Sequence, residues 1–111
     1  MNATSMLKLA AIAVDLDGTL AVHEGKKFDP EHIGEPVPRM LARVKQWLDD
    51  GKEVKIFTAR AADPKNVPPI RRWLKEHGLS ACEVTHEKTP DIERIYDDRA
   101  VKVHKNTGRL K

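Results

Sequence analysis

Asp15 and Asp17 stand two residues apart where a short apolar run ends, in residues 11–20 (A-I-A-V-D-L-D-G-T-L). A run of this length, rich in Val and Ile and broken by Asp and Gly, reads as a buried strand of a parallel sheet. Its polar residues then sit at the strand's C-terminal end, where open α/β sheets bind ligands. If the chain stays extended there, side chains alternate and the two carboxylates share one side. One carboxylate can attack an electrophile such as phosphorus and form an acyl phosphate. Its neighbour can give a proton to the leaving oxygen and later take one from water. Two carboxylates this close repel, and a hard divalent cation with oxygen ligands relieves that repulsion. Capping of a turn or helix explains a single aspartate after a strand. It explains the whole D-L-D-G-T-L pattern less well.

Three more polar clusters each follow an apolar run. Thr58-Ala59-Arg60 follows residues 54–57, Lys88 follows residues 81–85, and Asp97-Asp98 follows residues 92–96. A phosphoryl group in transfer carries charge on its equatorial oxygens and needs donors and cations around it. Thr58 offers a hydroxyl and Ala59 a backbone amide. Lys88 offers a mobile ammonium suited to phosphate. Asp97 and Asp98 add the carboxylates expected of a magnesium site that keeps several waters. Taken singly, Thr58 fits a turn former and Lys88 a solvated surface residue. The four clusters taken together, in this order, point to one site.

The elements between them must bring them together. Strands are expected at residues 9–15, 54–57, 81–85 and 92–96, with a brief fifth at 101–103. Pro38 suits a first helical turn, and Met40, Leu41, Val44, Trp47 and Leu48 follow as one apolar stripe. Gly51 suits the C-terminal cap. A second helix carries Ile70, Trp73 and Leu74 on one face and closes at His77-Gly78. Residues 21–38 hold loop chemistry, with a short hairpin expected around Glu24-Gly25-Lys26. Strands alternating with helices give an α/β fold of βαβ units, with a parallel sheet and right-handed crossovers. The strand ends of such a sheet lie along one edge, so four segments far apart in sequence converge.

The totals set bounds. A chain of 111 residues supports one small domain, here residues 1–111, with 1–8 expected as a loose tail. Hydrophobic residues at 40% favour a globular fold over a disordered one. A net charge of +3 favours acidic ligands only mildly. The single cysteine, Cys82, excludes an internal disulfide and fits a reducing compartment. No apolar run approaches a membrane span or a signal peptide, so a cytoplasmic location is expected.

The segment Asp15-Leu16-Asp17-Gly18-Thr19-Leu20 resembles the first signature motif of the haloacid dehalogenase superfamily, mostly magnesium-dependent phosphatases. Phe57-Thr58-Ala59-Arg60 is similar to the second motif, Lys88 to the third and Ile95-Tyr96-Asp97-Asp98 to the fourth. Lys102 and Lys105 stand as alternatives to Lys88. The resemblance implies a three-layer, Rossmann-like α/β sandwich around a central parallel sheet. It implies that Asp15 is the nucleophile and Asp17 the general acid, then base. Thr58, Ala59 and Lys88 hold the phosphoryl group. Asp97 ligates Mg2+ with Asp15 and the backbone carbonyl of Asp17, and Asp98 assists directly or through water. Arg60 is placed to reach the substrate or to brace Asp17. Residues 21–38 and the segment after Arg60 hold no cap domain, so the site is expected to be open. Capless relatives act on macromolecular ends or borrow a lid from a second subunit.

The function this implies is phosphomonoester hydrolysis through an aspartyl phosphate. Two other readings compete. One is a phosphate- or metal-binding module without turnover. The other is a nucleic-acid-end phosphatase, using Lys26, Lys27, Lys65, Arg71, Arg72, Lys102, Lys105, Arg109 and Lys111 along a backbone. No aromatic residues interleave those cations, so solvated faces are the better default for them.

Overall fold

The computed structural model describes residues 10–25 and 27–110. The tail expected at 1–8 lies outside the described residues, as do Leu9, Lys26 and Lys111. The elements in order are β1 (Ala11–Val14), α1 (Pro38–Asp49), β2 (Val54–Phe57), two short 3-10 turns (Ala59–Ala62 and Pro64–Asn66), α2 (Val67–Glu76), β3 (Glu83–Thr85) and β4 (Ile92–Tyr96). The strands form one four-stranded sheet in the order β3-β2-β1-β4. Every pairing is parallel.

Two βαβ steps, β1 to β2 and β2 to β3, run in the same direction across the sheet. Right-handed crossovers therefore put both helices over one face. The core bears this out: Ile12 and Val14 of β1 and Val54 and Ile56 of β2 pack with Met40, Val44, Ile70, Trp73 and Leu74 of the helices. The class read from the sequence, a parallel Rossmann-like α/β sheet, is the one adopted. Its layering is simpler than a sandwich among the described residues, with a single helical layer. The opposite face carries Ala11, Ala13 and Lys55, all buried. Lys55 pairs there with Asp91 at 2.7 Å and Glu83 at 3.9 Å. Asp91 precedes β4, so the β3–β4 connection rather than a helix meets this face.

Both helices begin at prolines that fill the first turn. At the end of α1 the Lys52 amide donates to the Trp47 carbonyl at 2.9 Å, and Gly51 takes φ +80°. This is the left-handed cap that only glycine enters freely. Cys82 is buried in the core, and burial pushes its thiol up to about 11. It is a packing residue. No helix among the described residues is long and apolar enough to cross a membrane.

The brief fifth strand at 101–103 does not form. Residues 98–110 are exposed, and a single antiparallel bridge joins Val103 to Leu110. The Val-Lys-Val alternation mimics a strand, but three residues without a buried face gain too little to hold a ladder. The hairpin read at 24–26 is wider than its sequence suggests. Ala21 bridges Pro36, and the Val22 amide donates to the Glu35 carbonyl at 2.8 Å. The loop between is a strap fastened from outside, with Trp73 Nε1 donating to the Gly34 carbonyl at 2.8 Å.

Candidate active site

The register sets the site. Val14 of β1 lies opposite Ile56 of β2 on one side and Tyr96 of β4 on the other. Asp15, Thr58 and Asp97 therefore leave the same edge of three adjacent strands. The Asp15 amide donates to the Tyr96 carbonyl at 2.9 Å, and the Thr58 amide donates to the Thr85 carbonyl at 2.9 Å.

Beyond Val14 the chain does not stay extended. The Leu16 carbonyl accepts from the amides of Thr19, Leu20 and Ala21 at 3.2, 3.0 and 2.9 Å. Gly18, at φ +90°, makes that turn possible. A Cβ there would also stand 2.7 Å from Asp98 Oδ2, so the turn packs directly on the fourth cluster. The coil sends the carboxylates of Asp15 and Asp17 to different partners, although both line one cleft.

Asp15 joins Asp97 and Asp98, and the three offer oxygens within 4.8 Å of one another. Burial, then the charge of Asp97 and then the Asp98 carboxyl beside it, raise Asp15 from its ordinary 3.8 to about 7. No lysine, arginine or histidine among the described residues pairs with any of the three. Asp97 accepts from the Arg99 amide at 2.7 Å. Thr19 Oγ1 donates to Asp98 Oδ1 at 3.0 Å and accepts from the Asp98 amide at 3.0 Å. An all-carboxylate, uncompensated set of this kind fits a hard divalent cation and could hold one.

Asp17 is held elsewhere. Arg60 Nε donates to Asp17 Oδ2 at 2.8 Å and Arg60 Nη2 donates to Oδ1 at 2.9 Å. Of the two roles open to Arg60, bracing Asp17 is the one seen. Its remaining bonds run to the strap, with Nη1 donating to the Asp29 carbonyl and Nη2 to the His32 carbonyl, both at 3.1 Å. Arg60 is buried through this set. The Asp17 side chain therefore lies outside the carboxylate cluster. Its backbone carbonyl accepts no backbone hydrogen bond among the described residues, which leaves it available to a ligand.

Thr58 is buried, and its Oγ1 accepts from the Arg60 amide at 3.2 Å, capping the 3-10 turn. It lines both openings that contain Asp15, together with Ala59. Lys88 is exposed and lines neither. Lys102 and Lys105 line neither as well. The basic side chains at the openings are Arg99 in both, His86 in one, and His23, Lys27 and the Asp17-bound Arg60 in the other. Sequence reasoning placed no role on Arg99 or Thr19, and read Gly18 only as the residue that permits a turn. Arg99 directly follows the Asp-Asp pair, and Thr19 and Gly18 lie inside the first motif, so position was the available signal. Of the described basic residues considered for a nucleic-acid backbone, Lys27 alone lines the cleft.

No protein-family model matches the chain, and no curated protein matches it. Among solved structures, the fold is similar to that of a conserved protein from Bacteroides thetaiotaomicron, with a TM-score of 0.60 and 20% identity. The match covers 82% of this chain and 77% of that one. At that identity the likeness speaks for the fold. Fold and site together define a small Rossmann-like parallel α/β domain with a three-aspartate cluster at the C-terminal edge of its sheet.

Proposed function

We propose that this chain is a magnesium-dependent phosphomonoester hydrolase of the haloacid dehalogenase type. One observation carries the reading: Asp15 directly follows β1, the strand between β2 and β4, and Thr58 and Asp97 directly follow those two neighbours.

In this reading an Asp15 oxygen attacks phosphorus, and the phosphorus–oxygen bond to the ester group breaks. The bonding pair stays on the leaving oxygen, which takes a proton from Asp17. Water then attacks the phosphorus of the aspartyl phosphate, gives its proton to Asp17, and returns Asp15 as a carboxylate. Thr58 Oγ1 and the Ala59 amide donate to the phosphoryl oxygens, and Arg99 supplies positive charge at the opening. Lys88 contributes only if its side chain swings in from solvent. Asp15, Asp97 and Asp98, with the Asp17 carbonyl, are the groups that would hold Mg2+. When bound, the cation offsets their mutual repulsion and draws charge from the phosphoryl oxygens. Asp17 must leave Arg60 before it can serve a leaving oxygen, since both its carboxylate oxygens already accept from the guanidinium.

That same ion pair favours a second reading, a phosphate- and metal-binding module that does not turn over. Phosphate release from sugar phosphates, nucleotides, phosphopeptides and end-phosphorylated oligonucleotides separates the two. Release that requires magnesium and is abolished in Asp15→Asn supports the hydrolase. Magnesium-dependent phosphate binding without release from any substrate supports the module. A preference for oligonucleotide ends with steep salt dependence would mark a nucleic-acid-end phosphatase.

A further inference from the structure

We infer that the substrate carries a planar aromatic ring on its ester group and that Phe28 is the surface this ring stacks on. The inference rests on the hydrolase reading above and names the substrate class for that site.

Phe28 is 56% exposed. Among the described residues, it is the only large exposed hydrophobic side chain that lines the cleft of about 650 Å3 holding Asp15, Asp17 and Thr58. Val101, Val103 and Leu110 belong to the exposed C-terminal segment and do not line it. The ring is not loose. The Arg60 guanidinium lies 4.9 Å from its centroid. That guanidinium is itself fixed by bonds to Asp17 and to the strap carbonyls of Asp29 and His32. A buried, immobilised cation thus supports one face of the ring, a favourable contact with the negative face of the π-system. More than half of the Phe28 surface stays open to solvent.

An aromatic residue held this way in the lining of a cleft that also carries charged side chains is a stacking platform. It is preorganised, so little side-chain freedom is lost on binding. A second ring takes an offset stack on it, a directional contact that an aliphatic group does not reproduce. Lys27 and Arg99 share the lining, and neither forms an ion pair with a described residue. They suit the anionic end of the same molecule. The ligand that answers both features is a phosphomonoester whose alcohol bears an aromatic or heteroaromatic ring.

Adenosine 5′-monophosphate and ribose 5-phosphate present the same scissile bond and differ by the base, so their ratio isolates the ring. Wild-type protein is expected to favour the nucleotide in kcat/KM by at least about tenfold, within the range for one stacked base. Phe28→Ala should bring that ratio close to one, and Phe28→Trp should keep it. No preference in wild type, or a preference that survives Phe28→Ala, overturns the inference. If wild-type protein releases phosphate from neither compound nor from any other ester, the hydrolase reading fails. Calorimetric titration of the same two compounds then decides the subsite. Nucleotide binding at least about tenfold tighter in wild type, lost in Phe28→Ala, supports the ring platform; equal affinities overturn it.

Discussion

Thr19 and Asp98 exchange two hydrogen bonds across 79 positions of sequence. The Thr19 hydroxyl donates to one carboxylate oxygen and accepts from the amide of the same residue, both at 3.0 Å. Thr19 is buried and Asp98 is exposed, so the fixed partner is the threonine. The clamp orients one of the three carboxylates from a turn that also carries Asp17 and Gly18.

Thr19→Val keeps the shape and removes the hydroxyl. Magnesium affinity is expected to fall roughly tenfold to a hundredfold, as when a group supporting a metal ligand is lost. Stability should fall by only about 1 kcal/mol, because exposed Asp98 can turn to water. Calorimetric magnesium titration and urea unfolding measure the two effects separately.

The Asp15 carboxyl titrates near 7 in the folded, metal-free protein against an ordinary 3.8. The folded state thus binds its proton more tightly than the unfolded state. That contribution to stability is fully present below 3.8 and is lost as pH rises through about 7. Metal-free protein should lose stability across this window, and Asp15→Asn should flatten the slope. Magnesium affinity runs the other way: it rises with pH and levels off above about 7, because the cation must displace the proton.

Arg60 joins Asp17 to the strap through one guanidinium. Arg60→Met removes the strap's bonds at Asp29 and His32 and frees the Asp17 carboxylate. Amide exchange at Val22, whose N–H donates to Glu35, should speed up by roughly tenfold, matching a loss of about 1.4 kcal/mol in local stability. Amides of β1 and β2 should keep their protection.

Lys55 and Asp91 respond unequally to removal. The Lys55 side chain is 8% exposed and that of Asp91 34%. Asp91→Ala leaves an ammonium buried beside a more distant Glu83, whereas Lys55→Met leaves a carboxylate that water can reach. Asp91→Ala is therefore expected to destabilise the fold more than Lys55→Met. Thermal unfolding of the two variants gives the order directly. The pairing holds the Asp91 carboxyl below its ordinary 3.8, with the Lys55 hydrogen bond as the main cause. Its contribution is present above that value and lost only as pH falls further, outside the Asp15 window.

The alternation of apolar runs with helical stripes was enough to read the parallel sheet, and β2 and β4 fall on the residues expected. Runs bounded by Asp, Gly and Pro leave little freedom in where a strand stops. The convergence of Asp15, Thr58 and Asp97 followed from the same reading, since strand ends share an edge. The parting of Asp15 from Asp17 was hidden. It depends on the coil at Leu16 and on the reach of Arg60 from the 3-10 turn after β2, and spacing along one segment carries neither. The place of Lys88 was hidden for a similar reason: a long side chain in a loop has no period to fix it. The single helical layer could have been foreseen only with the strand order in hand, because the direction of two crossovers decides it.

The most direct test of the central proposal is to look for phosphate on Asp15. Protein mixed with magnesium and a substrate found by phosphate release would be quenched in acid and its peptides weighed by mass spectrometry. One phosphoryl group on the peptide that carries Asp15, absent without magnesium and absent in Asp15→Asn, is the expected result. Steady phosphate release by Asp15→Asn at the wild-type rate, with that peptide unmodified in wild type, would contradict it.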